Sequence, residues 1–252
     1  MNLGKGSCPR RLVLLATVSL STLLGVATFT SGKERKPSSS VASKPAKKKL
    51  LFSDDFQTLD TLTWRPEIEP KPNSTVYAKQ GKLVLDTQGG VTVWLKQPLH
   101  GNLQIEYTRK IPVAGDPNDR LSDLNQFWMA SEPTGDGTTL ATRSGKLEEY
   151  DNLRLYYVGM GGNTNSTTRF RKYPGNGERT LLQEYSDAVH LLQPNKEYKI
   201  KTIVQNGTTS FWVDGKCFFT YKDPAPLPTG YFGIRSTKSR QEISNFRVYQ
   251  LD

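Results

Sequence analysis

Tyr198 to Tyr221 reads YKIKTIVQNGTTSFWVDGKCFFTY, and its texture decides the fold. Tyr198 to Val204 alternates apolar and polar side chains, as a strand with one buried face requires. Asn206 and Gly207 follow, then Thr209 to Val213, then Asp214 and Gly215, then Cys217 to Tyr221. Asn-Gly and Asp-Gly readily take the positive φ angles of the tight turns whose twist matches that of paired strands. The stretch therefore predicts a meander of three strands joined by two-residue turns.

The same texture extends outward. Gly230 to Ser236 and Glu242 to Leu251 read as two closing strands, and LLFSDDF at 50–56 as the opening one. Thr75 to Ala78 and Lys82 to Asp86 flank Gln80 and Gly81 as a hairpin, and Val91 to Leu95 follows a Gly89–Gly90 turn. In Asn102 to Lys110, Leu103, Ile105 and Tyr107 alternate with Gln104, Glu106 and Thr108, so one face is buried and the other wet. Asn125 to Ala130 is a further strand, Pro133 to Lys146 a long polar loop, and Ser186 to Leu192 a short helical turn before Pro194. With about a dozen short strands and no amphipathic helix of usual length, the class is all-β, a two-sheet antiparallel β-sandwich of jelly-roll type.

The chemistry concentrates in Leu153 to Tyr173, LRLYYVGMGGNTNSTTRFRKY, which predicts two strands around a glycine-rich turn. In its first arm Leu153, Leu155 and Tyr157 alternate with Arg154, Tyr156 and Val158; in its second Arg169, Arg171 and Tyr173 oppose Phe170. If each arm buries its more apolar face between the sheets, Tyr156 joins Arg169 and Arg171 on the open face. Guanidiniums beside an aromatic ring can fork onto carboxylates and stack on flat apolar surfaces, as an acidic sugar requires. Asn163 and Asn165 in the turn add amides that both donate and accept. Asp123, Asn125 and Trp128 in LSDLNQFWMA form a plausible sugar-binding set, although alternation puts Trp128 opposite Asn125. Tyr231 and Arg235 share a face in YFGIRS and would extend the groove.

The chain has 34 Lys or Arg against 24 Asp or Glu, but the excess is local. Residues 1–49 hold ten of the basic residues and one acid, Glu34, so the rest carries 24 basic and 23 acidic residues. That near-neutral remainder, without an RNA-binding or helix-turn-helix signature, argues against a nucleic-acid partner. Lys5, Arg10 and Arg11 precede an apolar run from Leu12 to Phe29, as in a secretory signal, so residues 1–32 are expected to be a signal peptide or an uncleaved N-terminal anchor. Residues 33–49, KERKPSSSVASKPAKKK, read as a disordered basic linker, and residues 50–252 as the domain. The expectation is a secreted protein, extracellular or periplasmic, that acts as a monomer and meets a membrane only through such an anchor.

Cys8 and Cys217 offer no disulfide framework in a mature chain that keeps only Cys217, and no His or Cys cluster has transition-metal spacing. No cofactor is expected, with a structural calcium in the Asp116 to Asp123 loop left open, though Arg120 interrupts its oxygen ligands. Gly159, Gly161 and Gly162 miss the dinucleotide spacing because Thr164 stands where its last glycine belongs. Asn73, Asn165 and Asn206 head glycosylation sequons that matter only in a eukaryotic secretory host.

Several segments together resemble the concanavalin-like jelly rolls of lectins and laminarinases: FSDDF with Trp64, YAKQGKLVL, WLKQPLHGNLQIEYTRK, YKIKTIVQNGTTSFWVDGK, PTGYFGIRS and ISNFRVYQL. LSDLNQFWMA with the opening hairpin is similar to an uncharacterised bacterial family of that superfamily, found among secreted proteins associated with polysaccharide breakdown. The resemblance implies a concave sheet whose groove holds a polysaccharide or oligosaccharide. The carboxylate pattern of the hydrolases, E-x-D-x-x-E or E-x-D-x-E, is not matched by Glu148, Glu149, Tyr150 and Asp151, although Glu149 and Asp151 would share a strand face. Lyase chemistry on uronates needs a cation to neutralise the sugar carboxylate and a Tyr or His to move the proton. Arg169 or Arg171, helped by Asn163 or Asn165, would neutralise, and Tyr156 would be the base. The expectation is a lyase or glycoside hydrolase on an acidic polysaccharide, with a non-catalytic lectin-like module as the alternative.

Overall fold

The computed structural model describes residues 47–252, so the expected signal or anchor and all but the last residues of the linker lie outside the described residues. Fourteen strands follow one another: β1 (Lys48–Asp54), β2 (Trp64–Ile68), β3 (Thr75–Lys79), β4 (Lys82–Leu95), β5 (Leu99–His100), β6 (Leu103–Lys110) and β7 (Leu124–Ser131), then β8 (Arg154–Gly161), β9 (Thr167–Pro174), β10 (Thr180–Tyr185), β11 (Glu197–Gln205), β12 (Thr208–Val213), β13 (Lys216–Lys222) and β14 (Thr229–Leu251). Hydrogen-bonded neighbours run β10-β9-β8-β7-β14-β6-β11-β12-β13, every pairing antiparallel.

This is an all-β jelly-roll sandwich, with two long strands shared between its layers. β14 pairs with β7 at Tyr231 to Arg235 and with β6 from Glu242 onward, while β4 pairs with β2 at Val91 to Leu95 and with β3 at Lys82 to Asp86. The first layer is thus β10-β9-β8-β7 with the near ends of β14 and β4; the second is β6-β11-β12-β13 with their far ends. The expected breaks at Gly89–Gly90 and between Ser236 and Glu242 are instead bends inside continuous strands. A register shift lies between Thr237 and Ser239, where Lys238 takes φ of 51°. At Gly90 a side chain has no room, because a Cβ would lie 2.2 Å from the Gly145 carbonyl oxygen.

The meander forms as its turn residues require, with positive φ at Asn206, Gly207, Asp214 and Gly215. Its inner faces pack on the first layer. Trp128 and Phe170 stack at 5.7 Å with Tyr156 beside them, and Phe170 meets Phe219 of β13 at 5.7 Å. Burying each such ring stabilises the fold by roughly 1.5–3 kcal/mol. The Trp128 indole donates to Thr209 Oγ1 at 2.9 Å, so its one polar atom is satisfied.

A second core lies on the other face of the first layer. Trp94, Phe127, Leu155 and Tyr173 are buried there under Leu140, Tyr150 and Leu153 of the segment between β7 and β8. Glu67, buried on β2, pins that cover: its Oε2 accepts from Trp94 Nε1 at 2.9 Å and from the Tyr150 hydroxyl at 2.7 Å, and its Oε1 from the Arg143 N–H at 3.0 Å. Leu147 to Tyr150 is a 3-10 turn rather than a strand entrance. Glu149 therefore accepts from the Ser144 N–H and hydroxyl, Asp151 pairs with Arg179, and the two carboxylates do not form a pair on one strand face.

Candidate functional site

Which tyrosine joins the arginines is settled by register. β8 and β9 pair so that Tyr157 stands opposite Arg171, Gly159 opposite Arg169, and Tyr156 opposite Lys172. Tyr156 is therefore on the inner face, 2 % exposed, donating to Asp223 Oδ2 at 2.5 Å. Burial and the Asp223 carboxylate both push its hydroxyl above the usual tyrosine value, so it is no base for an outer groove. The premise that the apolar face points inward fails here because the outer face is apolar as well, its Leu155 and Tyr173 covered by the segment between β7 and β8. Trp128 likewise belongs to the inner core.

The outer face is built as two rows crossing the strands. One runs Arg169, Gly159, Asn125, Arg235, Thr92, Glu67; the next runs Arg171, Tyr157, Phe127, Gly233, Trp94, Arg65. At the centre Gly159 has no side chain for a reason of space: a Cβ would lie 2.3 Å from the Tyr157 hydroxyl and 3.0 Å from Asn125 Oδ1. The Tyr157 ring thus leans over Gly159 toward Asn125, and packs on Phe127 at 5.5 Å and on Tyr173 at 6.0 Å. Burial, with Tyr173 and Asp123 nearby, pushes the Tyr157 hydroxyl up against the opposing pull of Arg235 and Arg171, and it stays protonated at neutral pH.

Arg235 is fully buried in this row. Its Nη1 donates to Thr92 Oγ1 and to the Gly145 carbonyl, each at 2.9 Å, and its guanidinium lies 5.0 Å from the Tyr150 ring centre. Its Nε and Nη2 have no partner, nor do Arg171 Nε and Asn125 Oδ1. Among the described residues neither Arg171 nor Arg235 has a carboxylate in ion-pair contact. Buried polar groups are nearly always paired, so these orphans stand out, but they are spread along the rows: Asn125 Oδ1 lies beside Gly159, whereas Arg235 Nη2 would be 3.0 Å from a Cβ at Gly90, under the cover formed by Gly145 and Tyr150. Burial pulls Arg235 below the usual arginine value, opposed by Tyr150, Tyr157, Tyr173 and Asp123.

The other expected residues divide. Asp123 lies beside Asn125, its Oδ2 accepting from Arg120 Nη1 at 3.0 Å and Ser122 Oγ at 2.7 Å. Arg169 faces outward but is paired with Glu184. Tyr231 donates to the Thr138 carbonyl at 2.6 Å and so holds the covering segment. Asn165 exchanges hydrogen bonds with the backbone of Leu192 at 2.8 and 2.9 Å, a structural tie, and Asn163 is exposed at the turn with φ of 52°. The turn brings neither amide into the two rows.

Sequence reasoning missed Tyr157 and what lies beneath it. Arg109, buried between the layers, donates to the Asn125 carbonyl at 2.7 Å, the Arg235 carbonyl at 2.7 Å and Gln241 Oε1 at 2.6 Å. The Gln241 amide donates in turn to the carbonyls of Ser122 and Asp123 at 3.0 Å and to Ser236 Oγ at 2.7 Å. This pair grips the backbone under Asp123, Asn125 and Arg235 from behind. Burial pulls Arg109 down to about 10, which leaves it cationic at neutral pH. In the loop considered for calcium, Asp119 Oδ2 accepts the N–H groups of Ala114, Gly115 and Asp116, while Arg240 pairs with Asp116 and Asp119. Among the described residues no group of three or more His, Cys, Asp or Glu is arranged to hold a metal ion.

Solved structures place the fold among galectin-like and concanavalin-like sandwiches. A Bacillus subtilis protein of unknown function with a galectin-like fold superposes with a TM-score of 0.67 at 17 % identity, over 82 % of this chain and 98 % of its own. The endo-β-1,3-glucanase of Pyrococcus furiosus gives 0.58 at 11 %, over 82 % and 96 %. The Bacillus subtilis carbohydrate binding module CBM66 gives 0.51 at 14 %, over 74 % and 94 %. No curated protein matches the chain. Residues 85–246 match the model of the family described as Domain of unknown function (DUF6250), and the chain belongs to that family.

Proposed function

We propose that this protein binds an acidic polysaccharide or oligosaccharide in the cup around Gly159. The observation that carries the reading is Arg171, a half-buried guanidinium that no carboxylate contacts, in the row next to the orphan Asn125 Oδ1 and the Tyr157 hydroxyl, with the charge of the buried Arg235 behind them. A sugar carboxylate would answer Arg171, and ring hydroxyls would answer the amide oxygen and the phenol. The similar folds include a carbohydrate-binding module and a β-1,3-glucanase, which supports a glycan as ligand.

Binding is preferred to hydrolysis on the carboxylate inventory. A retaining glycosidase needs two carboxyl groups about 5–5.5 Å apart. Here Glu67 is committed to Trp94, Tyr150 and Arg143, which leaves Asp123 beside Asn125. A lyase is the second reading, favoured by one contact: Arg171 stands opposite Tyr157, so a phenol able to protonate the leaving oxygen lies beside the cation that would neutralise a uronate, while the base that takes the sugar's proton would have to be a different group. We place the mature protein outside the cytoplasm, after the apolar N-terminal run; N-terminal sequencing of exported material should then begin between about residue 27 and residue 40.

The test is equilibrium binding of the purified protein to polygalacturonate, alginate and neutral laminarin, with absorbance of unsaturated uronates followed in the same samples. Arg171→Ala should weaken acidic-chain binding about tenfold or more and neutral-chain binding less. Equal affinity of the parent for laminarin and the acidic chains would remove the acidic reading, and absorbance growth lost in Tyr157→Phe would promote the lyase.

A further inference from the structure

At the bend of β4 and β14 lies a hollow of about 630 Å³, a volume usual for ligand sites, lined by Lys71, Gln88, Asn118, Asp119, Arg120 and Lys238. Three of these are cations, and the acid among them is spent. Asp119 is turned to three backbone N–H groups and to Arg240. Lys71 sits 3.6 Å from Glu69, whose other oxygen accepts the Gly90 N–H at 2.9 Å. Among the described residues Lys238 has no ion-pair partner. Gly89 leaves room for Lys71, since a Cβ there would lie 2.8 Å from Lys71 Cγ.

Asn118 supplies a second and independent observation. Its side chain is 6 % exposed, and its Nδ2 is fixed by the Asn73 carbonyl at 2.8 Å and Asp86 Oδ1 at 2.7 Å. Its Oδ1 is buried without a donor. Lys71 and Arg120 already meet Glu69 and Asp123, so the hollow asks for negative charge at Lys238 and for an N–H or O–H at this oxygen, which are together the groups of an acidic sugar. Arg120 joins the hollow to the cup, because the guanidinium that lines it also donates to Asp123 Oδ2 at 3.0 Å and Thr164 Oγ1 at 3.2 Å.

We propose that this hollow is a second subsite, taking another charged sugar of the chain whose first residue sits in the cup. The inference rests on the acidic-glycan reading of the cup and extends it: the protein reads repeated charge along a chain, so its affinity rises with chain length.

The experiment is calorimetric titration of the whole protein with galacturonic acid, trigalacturonate and polygalacturonate at low and moderate salt. The parent should gain affinity from monomer to polymer. Lys71→Glu/Lys238→Glu should lose about tenfold or more of the polymer affinity, with a shallower salt dependence, while monomer affinity stays unchanged. The milder Lys71→Gln/Lys238→Gln should fall between, and thermal melting of each variant checks folding. Polymer binding lost in Arg171→Ala but intact in the lysine variants overturns the hollow and keeps the cup. Polymer binding lost in the lysine variants but intact in Arg171→Ala keeps the hollow and overturns the cup. A parent that binds none of the three overturns both.

Discussion

Tyr156 and Tyr157 are adjacent in β8, chemically identical, and placed in two different environments. Tyr156 points between the layers, where its hydroxyl meets Asp223 and its ring packs against Trp128 and Phe170. Tyr157 points away from that core, where its ring packs on Phe127 and Tyr173 and its hydroxyl ends beside an unpaired amide oxygen. On the inner face Trp128, Tyr156, Phe170 and Phe219 pack ring on ring and the polar tips of Trp128 and Tyr156 have partners, which is how a group that only stabilises is treated. On the outer face the apolar half is finished in the same way and the polar half is left open. On the proposed reading of the outer face, the difference separates stability from recognition by one residue of parity.

Four substitutions test that separation. The largest effect belongs to Trp128→Ala, which opens a cavity in the inner core and leaves Thr209 without its donor; denaturant unfolding should give a loss of about 3–5 kcal/mol. Glycan affinity of the folded fraction should be unchanged. Arg171→Ala should do the reverse, costing about 1.5–3 kcal/mol of binding to an acidic chain and less than about 0.5 kcal/mol of stability. A stability loss comparable to that of the tryptophan variant would mean the guanidinium is structural after all. Smaller still is the contrast between the tyrosines themselves. Tyr156→Phe leaves Asp223 with one partner fewer, Lys172 remaining, and should lower stability by about 1–2 kcal/mol. Tyr157→Phe should move stability by under about 0.5 kcal/mol and register in glycan affinity instead. Equal stability losses in the two variants would erase the distinction.

The fold was legible because it is written locally. Asn206–Gly207 and Asp214–Gly215 dictate their turns through positive φ, and Leu103 to Lys110 declares its buried face by alternation. β10 gave no such signal: Thr180 to Tyr185 lies at a layer edge, half exposed, and alternates weakly. β4 and β14 were read as two strands each because glycines and polar residues at a bend look like a turn when the partner strand is unknown. The cup was legible only in part. Asp123, Asn125, Arg171 and Arg235 were visible as chemistry, but their company depended on which face of β8 is covered from outside. Counting outward from Thr164 would have paired Tyr157 with Arg171, since the two are equidistant from it. Nothing local marks Glu67, Arg109 or Gln241, whose roles exist only after distant strands meet.

The last contrast is between the cover of the outer face and the meander behind it, and acid should separate them. Three carboxylates hold the covering segment and its seat. Glu69 accepts the Gly90 N–H, Glu132 accepts the Ala141 N–H and pairs with Arg143 at 3.0 Å, and Glu149 accepts the N–H and hydroxyl of Ser144. All three are held below the ordinary glutamate value of 4.5: Glu69 by the Gly90 N–H against an opposing cost of burial, Glu132 because Arg143 and Ala141 outweigh burial, and Glu149 by Ser144. A depressed folded-state value means that the contribution is complete above 4.5 and is lost as pH falls through the depressed values. The meander strands β11 to β13 depend chiefly on apolar burial and backbone pairing, which protons do not touch, with Asp214 at one turn accepting the Lys199 N–H and Asp223 at the end of β13 paired with Lys172. Hydrogen exchange between pH 6 and about pH 3, corrected for the intrinsic rate, should therefore show residues 132–153 losing protection first while β11 to β13 keep theirs. Because Gly145 accepts from Arg235, loosening of the cover should be accompanied by a modest fall in glycan affinity at acid pH. Simultaneous loss of protection in both regions would show that the cover has no stability of its own to lose, and would place its carboxylates in the global unfolding transition instead.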